Sequence, residues 1–343
     1  MKSTPFSRFT ALILLVAGIA TSGFAVSKVG TTAAPFLGIA VGARAVGMGG
    51  AFVAVADDAT ALYWNPAGIS SVENFSTNLV HTDWLHDLSY NVVGAVLPIS
   101  EGQSIGAQVA LLSMPDQEIT TTNQNEQDGT GVYYSAGSMA LSGSWGKRFT
   151  DRFQLGLTGK YIREWIWHES ASTVALDLGS VYRTELNDMR IGVSISNFGG
   201  KMTMSGRDLI HYYDVDETRE GNNDRVLSET TTDAWPLPML LRVGLAMEVI
   251  DNDVHRLTVA ADALHPNDNN EYMNLGAEYA WHEQFMIRTG YKSLFLPNSE
   301  EGLTFGLGVR LHTRSGPTFG FDGAYEDFGR FDAIYKYSLV INY

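Results

Sequence analysis

From residue 74 to the carboxy terminus, apolar and polar positions alternate at a period of two, and helical periodicity is absent. Fourteen segments carry the pattern: 75–85, 88–98, 103–114, 132–148, 152–164, 170–183, 189–199, 239–250, 254–264, 271–282, 285–293, 302–312, 316–327 and 333–343. Most run ten residues or more. Strands of soluble sheets are nearer ~5–6 residues, whereas a tilted membrane-crossing strand needs ~9–11. In the fifth segment Phe153, Leu155, Leu157 and Tyr161 oppose Gln154, Gly156, Thr158 and Lys160. In the eighth, Leu241, Val243, Leu245, Met247 and Val249 oppose Arg242, Gly244, Ala246 and Glu248. In the twelfth, Leu303, Phe305, Leu307, Val309 and Leu311 oppose Thr304, Gly306, Gly308, Arg310 and His312. Mid-strand charge is too costly for a dry sandwich core and suits a polar lumen.

The last segment is the most informative. Tyr335, Tyr337, Leu339, Ile341 and Tyr343 share one face, and Lys336, Ser338 and Asn342 share the other, with Val340 the apolar exception. An aromatic-ended strand of this kind resembles the signal read by the barrel-insertion machinery of bacterial outer membranes. The amino terminus supplies the matching address. Lys2 and Arg8 precede an apolar stretch from Phe9 to Ala20, and Gly23-Phe24-Ala25 has small residues where a cleavage site needs them. Residues 1–25 read as a signal peptide, too short in its apolar part to cross ~30 Å of hydrocarbon as a helix. With no cysteine after that stretch, it is not a lipoprotein signal. No later segment has the ~18–20 apolar residues of a transmembrane helix.

Connection lengths test this reading independently. With both termini in the periplasm, connections after even-numbered strands are expected to be short. Those are Ile99–Gly102, Thr150-Asp151, Thr184–Asp188, Asp251–Asp253, Glu283-Gln284 and Thr313–Ser315. The opposite rim receives Pro115–Gly131, Gly200–Pro238, His265–Asn270 and Leu294–Glu301, with only its first and last connections expected to be short. Trp84, Trp165, Trp167 and Trp235 fall at outer strand ends, and Trp145 and Trp281 near inner ends, where amphipathic rings favour headgroups.

Composition narrows the functions. The chain has no cysteine, which removes disulfides and thiolate chemistry. Its formal charge of −15 becomes more negative once Lys2 and Arg8 are removed, so nucleic acid is not an expected partner. A mean hydropathy of −0.05 is uninformative, because a barrel averages apolar outside with polar inside. The 35 glycines point to turns and close backbone approach.

Residues 26–73 are of another kind, rich in small residues. Asp57 or Asp58 is placed to cap a short helix, Ala59–Trp64, and Asn65-Pro66-Ala67-Gly68 has type I turn preferences. Gly47-Met48-Gly49-Gly50 is not a nucleotide loop, since no βαβ unit surrounds it. The run from Gly42 and Arg44 through Gly47, Met48, Gly49 and Gly50, followed by Asp57, Asp58, Trp64, Asn65, Pro66 and Gly68, resembles the opening of PorV/PorQ family outer-membrane proteins. That group is related to the FadL transporters. The resemblance implies an all-β fold: a 14-stranded antiparallel transmembrane β-barrel over 74–343. Residues 26–73 would then fold into the lumen as a hatch. Arg44 would pair there with Asp57, Asp58 or an inward acid such as Asp177, Glu248, Asp262, Glu278 or Asp322, locking the hatch rather than touching a ligand.

No catalytic constellation is present. Ser142-Gly143-Ser144-Trp145-Gly146 fails the nucleophile-elbow register. Gly156 to Tyr161 lacks phosphate-loop spacing, and His282-Glu283 has no second histidine four residues after the first. No metal or cofactor is expected. Asp214, Asp216, Glu217, Glu220, Asp224, Asp268, Glu300 and Glu301 read as solvated acidic loops in preference to a calcium site. Two functions follow. The resemblance implies a non-catalytic, partner-binding component of type IX secretion, in contact with outer-membrane lipid and with exported substrates or secretion subunits. The alternative is a FadL-like passive transporter of a hydrophobic small molecule, with Leu209, Ile210, Tyr212 and Tyr213 as the nearest candidate for an apolar groove or a cover over the barrel mouth.

Overall fold

The computed structural model describes residues 29–120, 130–216, 218–219, 225–313 and 316–343. The expected signal peptide, residues 1–25, lies outside the described residues, as do Glu217, Glu220 and Asp224 of the acidic connection.

Alternation becomes strand in each of the fourteen expected places. The first seven are β1 Ser76–Asp83, β2 Ser89–Ser100, β3 Gln103–Ser113, β4 Ala136–Thr150, β5 Phe153–Ile166, β6 Glu169–Arg183 and β7 Arg190–Gly199. The rest are β8 Leu240–Asp251, β9 His255–Pro266, β10 Tyr272–Trp281, β11 Phe285–Leu294, β12 Leu303–His312, β13 Thr318–Asp327 and β14 Ala333–Asn342. Each pairs antiparallel with its chain neighbours. β14 returns to β1, with Ser76 opposite Asn342 and Asp83 opposite Tyr335. Closure satisfies the backbone groups that an open sheet would leave bare in lipid.

The two faces of the wall are chemically inverted relative to a water-soluble protein. Outward residues such as Val93, Leu157, Leu176, Phe305, Leu307 and Tyr337 are 42–66% exposed. Inward Asp177, Asp262, Glu278, Arg288, Glu326 and Lys336 are all at or below 1%. An apolar surface this extensive is stable only against lipid.

Connection lengths follow the expected asymmetry, with one difference. Trp167-His168, at the long-loop rim, is a two-residue turn. Alternation breaks at Trp165-Ile166-Trp167, but pairing continues through Trp165 with Ser170 and Ile166 with Glu169. Ladder hydrogen bonds extend these strands past the point where the side-chain pattern stops reporting them.

Residues 34–72 lie inside the cylinder. They form a 3-10 turn at Pro35–Gly38, α1 at Ala43–Gly47, α2 at Ala61–Trp64 and a 3-10 helix at Pro66–Ser71. The helix expected from Ala59 starts two residues later, because Asp58 Oδ1 takes the Thr60 N–H and hydroxyl in a local turn. The Asn65 turn is present, with Gly68 N–H donating to Asn65 O at 2.9 Å, and it runs on as the 3-10 helix. Phe36, Val41, Val46, Met48, Phe52, Leu62 and Ile69 are each no more than 2% exposed.

Wall glycines make this packing possible. A Cβ on Gly276 of β10 would lie 2.2 Å from Met48 O, and one on Gly290 of β11 would lie 2.2 Å from Gly49 N. Gly192 on β7 and Gly179 on β6 meet Val53 and Asn65 in the same way. Gly49 itself has φ +65° and a would-be Cβ 2.5 Å from Leu275 O, so only glycine serves there.

Candidate functional site

The lumen is organised by charge. Arg44 on α1 places Nη1 2.6 Å from Asp57 Oδ1 and 2.9 Å from Asp58 Oδ2, and Nε 3.1 Å from Glu278 Oε2 on β10. Its guanidinium carbon lies 5.3 Å from the Phe52 ring centre. Burial disfavours the Arg44 charge, but Asp57, Glu278 and Asp58 together hold its pKa well above the ordinary arginine value. Glu278 also receives Arg288 Nε at 2.6 Å and Arg256 Nη1 at 3.1 Å. Arg288 continues to Asp322, 2.7 Å away, which Arg310 meets at 2.9 Å. The ion pairs therefore run from the luminal segment across β9 to β13, and none of these arginines is left without a carboxylate.

Hydrogen bonds fix the rest of the segment. Asp262 Oδ2 accepts from Phe52 N–H at 2.8 Å and Val53 N–H at 2.9 Å. Lys336 Nζ donates to Ala40 O at 2.9 Å, and Ala43 N–H donates to Ser338 Oγ at 2.8 Å. Gly49 N–H donates to Thr304 Oγ1 at 3.0 Å. Asn65 is saturated: Nδ2 donates to Val53 O and Ser180 O, and Oδ1 accepts from Ala67 N–H. Trp64 Nε1 donates to Val41 O at 2.8 Å, which ties α2 back to the stretch before α1.

The residues singled out from sequence fall into three groups. Arg44, Asp57 and Asp58 converge on Glu278. Gly42 begins α1, while Gly47, Met48 and Gly49 press on β10 to β12 and Gly50 faces Asn274 and Trp64. Asn65 and Pro66 pack toward β4 to β6, Trp64 faces Arg242 on β8, and a Cβ on Gly68 would lie only 2.0 Å from Ala56 O. The carboxy-terminal residues lie elsewhere, on the lipid face: Tyr335, Tyr337 and Tyr343 are exposed, and Leu339 and Ile341 are half-buried. The anchoring roles of Lys336, Ser338 and Thr304 were not anticipated. Their inward positions in the alternation were legible, but not which part of the segment each would meet.

The outer rim is built from chain beyond the cylinder. Ser205-Gly206 extend the sheet by pairing with Ser170 and Glu169, and Met202 bridges Trp235. Residues 210–213 pair with 226–229 as a separate two-stranded ribbon. Ile210, Tyr212, Tyr213 and Leu227 on it are 45–69% exposed.

Residues 24–212 match the family described as Type IX secretion system protein PorV. Solved structures of similar fold include the Ralstonia pickettii toluene transporter TbuX, at 13% identity and a TM-score of 0.56 over 88% of this chain and 97% of that one. The CymD monoaromatic hydrocarbon channel gives 12% identity and 0.54, over 88% and 96%. The Pseudomonas putida toluene transporter TodX gives 13% and 0.50, again over 88% and 96%. At such identities the likeness is one of fold. No curated protein matches the chain.

Proposed function

The chain belongs to the PorV family, and from that premise we propose that it is a partner-binding, non-catalytic component of type IX protein secretion. It is an outer-membrane β-barrel that crosses the bilayer with fourteen strands. In the proposed role residues 26–73 act as a hatch and Arg44 locks it to the wall. The outer connections hold exported substrates or neighbouring secretion subunits. The last strand, from Tyr335 to Tyr343, serves as the insertion signal.

The observation that supports this reading best is the filled lumen. Buried backbone of residues 34–72 sits against wall glycines from β4 round to β12, and several ion pairs and hydrogen bonds hold it. What remains available to a partner is the rim, with its exposed Tyr212, Tyr213 and Leu227 and acidic residues. Such rims favour recognition. Passive transport, suggested by the fold shared with a toluene transporter, would require that segment to be displaced.

The test is to purify the chain from detergent-solubilised outer membranes and identify what accompanies it. Secretion subunits or exported proteins, lost on trimming the 200–239 connection, are the expected result. Recovery alone with a hydrophobic ligand would support the transport reading instead.

A further inference from the structure

We propose that the outer end of the lumen holds a carboxylate-binding cavity built on Arg242. A cavity of about 170 Å³ lies between the Pro35–Ala40 stretch and the outer ends of β7 to β11, and Tyr63, Trp64, Arg242, Asn269 and Tyr272 are in its lining. Arg242 is only 4% exposed. Among the described residues, the other buried wall cations each have a carboxylate partner: Arg288 has Glu278, Lys292 has Glu301 and Lys336 has Glu326. Arg242 has none within ion-pair distance. Its Nη1 donates to Ser196 Oγ at 3.1 Å, and its Nε, also buried, has no partner.

The guanidinium is held in place instead by rings. Its central carbon lies 5.5 Å from the Tyr63 ring centre and 5.4 Å from that of Trp64. Stacking orients the donor fork but leaves the charge without a carboxylate in direct contact, which is costly in a buried site. A planar carboxylate matches that fork in geometry and charge.

The neighbouring acids are directed elsewhere. Asp262 Oδ2 accepts from Phe52 and Val53 N–H while its Oδ1 has no partner, Asp268 accepts from Thr32, and Glu301 pairs with Lys292. Asp268 and Glu301 line the same cavity, so a dianion such as phosphate meets repulsion that a monoanion meets less. The volume is below the ~300–1,000 Å³ of pockets for drug-sized ligands. It fits a small organic acid or the terminal carboxylate of a peptide, and either source presents the same group to Arg242.

Calorimetry on the full chain in detergent tests this with benzoate, benzamide, inorganic phosphate and a pentapeptide carrying a free or amidated carboxy terminus. Saturable binding of benzoate but not benzamide marks a small-acid site. Binding of the free-ended peptide alone marks a chain-terminus site. In either case Arg242→Gln weakens binding by about tenfold or more, the scale of one charge-assisted hydrogen bond, and phosphate binds more weakly than the carboxylate. Equal binding of acid and amide overturns the proposal. So does the absence of saturable binding by any carboxylate, or unchanged affinity in a folded Arg242→Gln barrel. If that variant does not fold, Arg242→Lys, which keeps charge but loses the fork, and the acid–amide contrast on the unaltered chain decide.

Discussion

Two glycines three residues apart on β5 test how tightly the luminal segment is seated. Gly156 faces inward, and a Cβ there would lie 2.2 Å from the Pro66 carbonyl carbon and 2.3 Å from Ala67 N. That is about 1.3 Å short of the ~3.5 Å at which carbons pack. The atoms in the way are backbone, capped by Asn65 and buried, so no rotamer change relieves the clash. Gly159 faces lipid and has nothing within 4 Å. Overpacking costs ~1–3 kcal/mol or more, whereas replacing glycine by alanine in an open strand position gains ~0.5–1 kcal/mol. Gly156→Ala is therefore expected to be less stable than Gly159→Ala by about 1.5–4 kcal/mol. Denaturant unfolding followed by gel mobility of unboiled samples reads the difference. Hydrogen exchange at Pro66–Ser71 should rise in the first variant only. Equal stability with unchanged exchange would refute the claim that this stretch is pressed backbone-to-wall.

Arg44→Met should release α1 and leave the barrel folded, at a cost near the low end of the ~3–5 kcal/mol for breaking a buried pair, because Glu278 keeps Arg256 and Arg288. New proteolytic cleavage within residues 35–60, with unchanged barrel mobility on gels, is the expected readout. Tyr343→Ala should lower the yield of assembled barrel in the outer membrane, measured as the heat-modifiable fraction. A yield equal to that of the unaltered chain would remove the terminal aromatic from the insertion signal. At the rim, hydrogen bonds from Arg330 hold the Glu300 carboxyl below its usual range. A depressed carboxylate pKa contributes stability above the unfolded value of ~4.3, and that contribution is lost as pH falls through the folded value. Exchange protection in Phe295–Gly302 should hold at neutral pH and fall only in acid, and Arg330→Gln should abolish that dependence.

Strand number and facing were legible from residue order, because a wall with lipid on one side imposes period two at every position it crosses. Lys336, Asp262 and Glu278 were legible as inward for the same reason. Arg44 could be assigned a lumen and a short set of acids, but Asp177, Glu248 and Asp322 turned out to serve Lys160, Arg190 and Arg288 instead. Those choices depend on which part of residues 34–72 meets which strand, and no periodicity encodes a contact between Asp262 and Phe52, 210 positions apart. The strand extension at Trp165-Ile166 was hidden because backbone pairing outlasted side-chain alternation. Arg242 shows the division most plainly. Its sequence position placed it inward among other charges, while its lack of a carboxylate partner arises only from closure of the cylinder and the seating of Tyr63 and Trp64. Local pattern determined the cylinder; tertiary packing alone decided what fills it, because burial and ion pairing are properties of segments brought together, not of their order in the chain.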